Sequence, residues 1–183
     1  MNKTQLIHTG KRMEKKGLVE GASGNISIRD GNDIIITKSG TVLDDLNEGL
    51  FVTMNLDEGG GDDLNEVSSD YNVHKAIYRA TDLKAVVHCH GVFNVVISLV
   101  EDMIKPPDFE GGIFLGNIPV LDGDLKEQER AELISRSVKK NNVAVLRGHG
   151  IYSAGHTLLE ALTRAEYVEH SCEILYRLCL LDK

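Results

Sequence analysis

The chain has no tryptophan, only three prolines and three cysteines in 183 residues, and fewer basic residues (20) than acidic ones (28). Each shortage excludes something. Cys89, Cys172 and Cys179 are odd in number and far apart, which excludes a disulfide framework and predicts reduced thiols in a cytoplasmic protein. The scarcity of proline, with no Pro-, Gly- or Ser-rich linker and no repeat, leaves nothing to divide the chain, so residues 1–183 are expected to form one domain. No apolar run approaches bilayer length, and Met1 to His8 lacks the apolar core and cleavage site of a signal peptide. A membrane partner is therefore not expected. The formal charge of -8 argues against a nucleic-acid partner, because neutralising phosphates calls for a basic face. It leaves room for a small, locally positive pocket that takes an anionic metabolite. What remains is 42% hydrophobic and 26% charged, the balance of an ordinary globular chain long enough to bury a core without staples.

Periodicity predicts mixed helices and strands. A helix over 3–16 carries Leu6, Ile7 and Met13 and ends at Gly17. Alternation in Asn25–Arg29 and the run Asp33–Thr37, joined by Asp30-Gly31-Asn32, read as a hairpin, and Phe51–Met54 as a further strand. Asp57 to Asp63, acidic and glycine-rich, reads as a surface loop. Ser69 is expected to cap a helix from about Asp70 to Ala80. Strands follow at Ala85–His88, within Ile113–Leu121 and at Val143–Leu146, with helices at Val92–Val100 and Gln128–Lys139. The last helix opens on a capping box, Thr157 with Glu160, and carries the stripe Leu158, Leu162, Ala165, Cys172, Leu175 and Cys179. The pattern is that of a layered α/β domain.

His88-Cys89-His90-Gly91 closes an apolar strand. Residues i and i+2 of a strand share a face, so both imidazoles can converge on one divalent ion, whereas Cys89 points to the core. His149, in Arg147-Gly148-His149-Gly150, again follows an apolar strand. Each motif alone is open to a bland reading. Three histidines at strand ends, two of them paired, tip the balance to a metal site. His8, His156 and His170 lack such a setting and read as surface residues; His74 is open between a supporting role behind the site and a purely structural one. Ser68-Ser69-Asp70 at a helix start, Ser23-Gly24-Asn25 and Lys38-Ser39-Gly40 offer small donors and free backbone N–H groups suited to an anion, or else ordinary turns. None follows a nucleotide-binding pattern.

Taken in order, Gly24-Asn25-x-Ser27, Thr37-x-Ser39-Gly40, Ser68-Ser69-Asp70 with His74 and Tyr78, His88-x-His90 and Arg147-Gly148-His149-Gly150 resemble the class II aldolase/adducin family over nearly the whole chain. The resemblance implies a single three-layer α/β/α domain with a central mixed, mostly antiparallel sheet. It implies a divalent metal, zinc before manganese or cobalt, on His88, His90 and His149, with Asp70 as a further ligand, an acid–base group or both. It implies that Gly24, Asn25, Ser39, Gly40, Ser68 and Ser69 hold the phosphate of a phosphorylated ketose. A homotetramer with active sites between subunits follows on the same basis. The activity implied is a metal-dependent aldolase of fuculose-1-phosphate type, yielding dihydroxyacetone phosphate and a small aldehyde such as lactaldehyde through a stabilised enediolate. A pentulose-phosphate 4-epimerase, a methylthioribulose-phosphate dehydratase and a non-catalytic adducin-like module share the scaffold. Two departures stand out: aspartate replaces the glutamate of fuculose-type aldolases at Asp70, and Asp108-Phe109-Glu110 stands where those enzymes place an acid tyrosine.

Overall fold

The computed structural model describes residues 3–57 and 66–181. The expected loop from Asp57 to Asp63 therefore lies, apart from Asp57, outside the described residues. Helix α1 (Lys3–Lys15) buries Leu6, Thr9, Gly10 and Met13, one stripe at helical spacing, and Gly17 ends it in the left-handed region at φ 67°. Strands β1 (Asn25–Asp30) and β2 (Asp33–Thr37) form the expected hairpin, and β3 (Phe51–Asn55) pairs with β2. Then come α2 (Tyr71–Ala80), β4 (Ala85–Cys89) and α3 (Val92–Val100), close to their predicted bounds. A two-residue strand, β5 (Met103–Ile104), is too short to leave a pattern in the sequence.

Five expectations need correction. Ser69 does not cap α2: Asp70 occupies the cap position without a side-chain cap bond, its carboxylate being drawn elsewhere. The strand sought within Ile113–Leu121 is only β6 (Ile118–Leu121). Ile113 and Phe114 end α4 (Phe109–Phe114), which starts because the Asp108 carboxylate accepts the Gly111 N–H at 2.8 Å. After α5 (Glu127–Asn141) and β7 (Val143–Leu146) comes an unpredicted strand, β8 (Gly150–Gly155). Its small residues have weak strand preference, and pairing with β4 on one side and β7 on the other makes it a strand. In α6 (Leu158–Leu181) the stripe runs buried through Cys172 and partly buried at Leu175, but Cys179 is exposed. At the start of α6, Thr157 Oγ1 accepts the Glu160 N–H (3.1 Å), while the Glu160 carboxylate accepts the N–H of His156 (3.0 Å), one residue before the expected partner.

The eight strands among the described residues form one sheet in the order β3-β2-β1-β4-β8-β7-β6-β5, antiparallel at every pairing except β6 with β7. Side chains alternate between its faces. Ile26, Val87, Cys89 and Ile151 pack with residues of α1, α3 and α6; Ile34, Ile36, Val86, Ala144 and Ala154 pack with α2 and α5. This is the expected three-layer α/β/α arrangement with a mixed, mostly antiparallel sheet.

Candidate metal centre

Strand register assembles the site. Asn25 on β1 lies opposite His88 on β4, and His88 lies opposite Tyr152 on β8, so one row across three strands puts all three side chains on the α2 face. The Asp70 carboxylate, at the start of α2, meets that row. Asn25 Nδ2 donates to its Oδ2 at 2.8 Å, the Tyr152 hydroxyl donates to its Oδ1 at 3.2 Å, and His88 Nε2 lies 3.4 Å from Oδ2.

His88 is 1% exposed, and its Nδ1 lies 2.9 Å from the Ile151 carbonyl oxygen. A carbonyl only accepts, so the proton sits on Nδ1 and Nε2 presents a lone pair. Tyr152 stacks on the imidazole, with ring centroids 3.9 Å apart and planes 5° from parallel, fixing its tilt. His90 lies just past the strand, its N–H held by the Leu18 carbonyl (2.8 Å), and its Nε2 is 2.8 Å from His88 Nε2. His149 sits in the tight β7–β8 turn. That turn is held by Arg147, which donates to Asp122 (2.6 Å), Asp102 (2.6 Å) and the Ser98 carbonyl (2.7 Å). One ligand atom from each of the three histidines lies within 4.8 Å of the others.

Burial disfavours the charged imidazoles, pushing His88 down to about 3, His90 down to about 4 and His149 below its ordinary value. All three are neutral at pH 7, so the contact of His88 with Asp70 is not an ion pair but an acceptor facing an acceptor. Burial raises the Asp70 pKa, the Asn25 hydrogen bond to the carboxylate lowers it, and the net shift is downward. A carboxylate and three neutral imidazoles whose lone pairs converge form a donor set that a divalent ion satisfies.

The small-residue loops gather at the same end of the strands. Gly24, at φ 78°, lies against His88: a Cβ there would be 2.7 Å from the His88 carbonyl oxygen. An isolated bridge between Lys38 and Val67, and the Ser39 N–H bound to the Glu66 carbonyl (2.8 Å), bring Ser39 and Gly40 to the segment carrying Ser68 and Ser69. Ser69 lines a cavity of about 630 Å³ together with Asp70, Arg130, His149 and Tyr152. Ser68 Oγ accepts the Asp70 N–H at 3.3 Å. Asn25 Oδ1, Thr41 Oγ1, His74 Nε2 and Asn94 Oδ1 are buried without a protein partner among the described residues, and of these Asn25 belongs to the row that meets Asp70.

Sequence reasoning missed Tyr152 and Thr41. Tyr152 falls in the strand whose composition concealed it; Thr41, next to Ser39-Gly40, was within reach of the motif. His74 is fully buried and bonded through Nδ1 to Ser27 Oγ (2.7 Å), which also contacts the Tyr78 hydroxyl (2.7 Å). It braces α2 on β1 one turn after Asp70. Asp108 is committed to structure, one oxygen accepting from Gly111 N–H and the other from Ser171 Oγ at 2.6 Å. Cys89 is buried on the opposite face, and all three thiols are unpaired.

With this geometry, the chain matches the family described as the Class II Aldolase and Adducin N-terminal domain over residues 4–176, and it belongs to that family. Among its relatives, an L-fuculose phosphate aldolase of Methanocaldococcus jannaschii is 29% identical over 185 residues, covering all of both chains. One from Methanococcus maripaludis is 31% identical over 160 residues, 86% of this chain and 87% of that protein. The crystal structure of L-fuculose-1-phosphate aldolase from Thermus thermophilus is similar with a TM-score of 0.91 at 28% identity, covering 98% of this chain and 94% of that one. None of the described helices is long and apolar enough to cross a membrane.

Proposed function

We propose that this protein is a metal-dependent aldolase of fuculose-1-phosphate type, cleaving a phosphorylated ketose to dihydroxyacetone phosphate and a small aldehyde such as lactaldehyde. The observation that carries the reading is the convergence of His88, His90, His149 and Asp70, all acceptors, beside loops built for an anion. His88, His90 and His149 would hold the ion, zinc or else manganese or cobalt, with Asp70 as a further ligand. Such an ion supplies Lewis-acid stabilisation of the negative charge that develops on a carbonyl oxygen.

The chain's own residues do the rest. Backbone N–H groups and hydroxyls of Gly24, Asn25, Ser39, Gly40, Ser68 and Ser69 would anchor the phosphate, far from the broken bond, so that binding energy positions the reacting carbons. Asn25 also has a second task, holding Asp70 through Nδ2. In cleavage Asp70, kept ionised by its two donors, would take the proton of the hydroxyl that becomes the aldehyde carbonyl as the carbon–carbon bond breaks, and would then deliver it to the carbon beside the ketone; bond formation runs the same transfers in reverse. Tyr152 aims that carboxylate and keeps the His88 ring in plane.

The proposal extends to assembly, a homotetramer with its active sites between subunits. Exposed Val92, Leu99, Val100, Phe109, Ile113 and Phe114 on α3, α4 and their flanks support it, since so many large apolar side chains on neighbouring elements suit burial against a second copy. We also take the chain as one cytoplasmic domain, supported by its single sheet and three unpaired thiols. Metal analysis and a panel of ketose 1- and 5-phosphates test the function. One ion per chain and cleavage products support it. Epimerisation or loss of water would assign the epimerase or dehydratase chemistry instead, and a protein with neither metal nor turnover would be an interaction module.

A further inference from the structure

Glu169 lies on the buried side of α6 and is 9% exposed, yet no lysine or arginine pairs with it among the described residues. Its carboxylate instead accepts three N–H groups from one short segment. Phe93 N–H donates to Oε1 at 2.8 Å; Asn94 N–H and Asn94 Nδ2 both donate to Oε2, at 2.9 and 2.7 Å. These groups open α3, whose own cap residue, Gly91, has no side chain to offer. A glutamate from another helix thus fills the cap, and its charge suits the positive end of the α3 dipole.

The clamp reaches the metal site through one residue. Asn94 Nδ2 also donates to the Gly91 carbonyl at 2.7 Å, and Gly91 directly follows His90. Glu169 packs so tightly there that a Cβ on Gly91 would overlap its carboxylate. The backbone leaving His90 is therefore tied to α6, while the backbone entering it is tied to Leu18.

We propose that Glu169, acting through Asn94 and Gly91, is a positioning residue that fixes His90 for metal binding. This rests on the reading of His88, His90 and His149 as ligands. A carboxylate buried without a cation is costly, and an apolar residue would pack α6 on α3 more simply. What only the carboxylate supplies is three acceptor contacts converging on the turn after a ligand.

The test measures zinc affinity of the metal-stripped protein by chelator competition, well below its melting temperature. Glu169→Gln keeps the shape but turns an N–H₂ toward N–H donors, and should weaken zinc binding about tenfold, the lower end of losses seen when groups supporting a ligand are removed. Asn94→Ala leaves the backbone N–H groups of α3 capped by Glu169 and cuts the side-chain bonds to Glu169 and to Gly91, so it reports even where Glu169→Gln fails to fold; a loss of several-fold is expected. Glu166→Gln, one turn earlier on the same helix, breaks the Arg12 ion pair and controls for lowered stability alone; it should leave zinc affinity unchanged. Wild-type affinity in Asn94→Ala or in folded Glu169→Gln, with only a lower Tm, overturns the inference. Should His90→Ala also bind zinc normally, the ligand assignment itself fails.

Discussion

Replacing Asp70 with asparagine separates its two proposed roles, and the surrounding hydrogen bonds determine how the new side chain sits. Asn25 Nδ2, which only donates, faces Oδ2. The amide oxygen must therefore take that place, and the new N–H₂ must face the Tyr152 hydroxyl. Tyr152 can turn to accept it through its hydroxyl oxygen. Every polar contact then survives, an oxygen still faces His88, and the fold should lose no more than about 1 kcal/mol. Only the negative charge and the basic lone pair are gone. An acid–base group contributes roughly a hundredfold or more, so turnover should fall by at least that factor, about 2.7 kcal/mol of barrier. Steady-state kinetics, elemental analysis and thermal melting on the same preparation decide the matter. Full metal with lost turnover assigns proton transfer; lowered metal, with part of the rate restored by added ion, assigns ligation. Asp70→Glu keeps the carboxylate and should retain more cleavage than the asparagine. Wild-type turnover in Asp70→Asn would refute both roles.

Tyr152→Phe removes a donor to the charged form of Asp70, so the acidic limb of the rate profile should move to higher pH; an unmoved limb removes Tyr152 from the proton chemistry. Gly24→Ala forces a side chain into the left-handed region and onto the His88 carbonyl, costing about 1–2 kcal/mol in urea denaturation and lowering metal affinity. For pH dependence, burial holds His74 near 4 in the fold against an ordinary 6.5. The unfolded chain then binds more protons across that window, so stability rises with pH and is lost as pH falls from about 6.5 toward 4. The slope approaches 1.4 kcal/mol per unit for this residue. His74→Gln should flatten the pH 5 to 7 difference by that share, and an unchanged slope would contradict the assignment. If active sites lie between subunits, sedimentation should find activity only in the assembled species; a fully active 20.1 kDa monomer would overturn the assembly.

The readable parts of the site were those whose signal is local. His88 and His90 announce themselves because positions two apart at a strand end read as sharing a face, and His149 because glycines on either side mark a turn after an apolar run. Tyr152 was hidden because β8 is a strand through its neighbours rather than through Gly150, Ser153, Ala154 and Gly155. Asp70 was recognised, but its hydrogen bonds were not, since Asn25 and Tyr152 are 45 and 82 residues away. Glu169 was invisible for another reason. A glutamate in a helix reads as solvated surface, and nothing near it in sequence shows that its partners are the opening N–H groups of α3.

The row Asn25–His88–Tyr152 explains why such a site can be built on strands at all. Three side chains from residues 25, 88 and 152 meet one carboxylate only because β1, β4 and β8 are hydrogen-bonded in a single register. A slip of one residue in β8 would turn Tyr152 toward the α6 face and remove both the stacking on His88 and the donor to Asp70. The same slip would take Ser153 away from the Ala161 carbonyl, to which its hydroxyl donates at 2.8 Å, and turn it toward the apolar residues of the α2 and α5 face. The apolar alternation that makes the core thus enforces the geometry of the polar site. The interior strands fix Asn25, His88 and Tyr152 about Asp70, while His90 and His149 are set by the turns that follow β4 and β7.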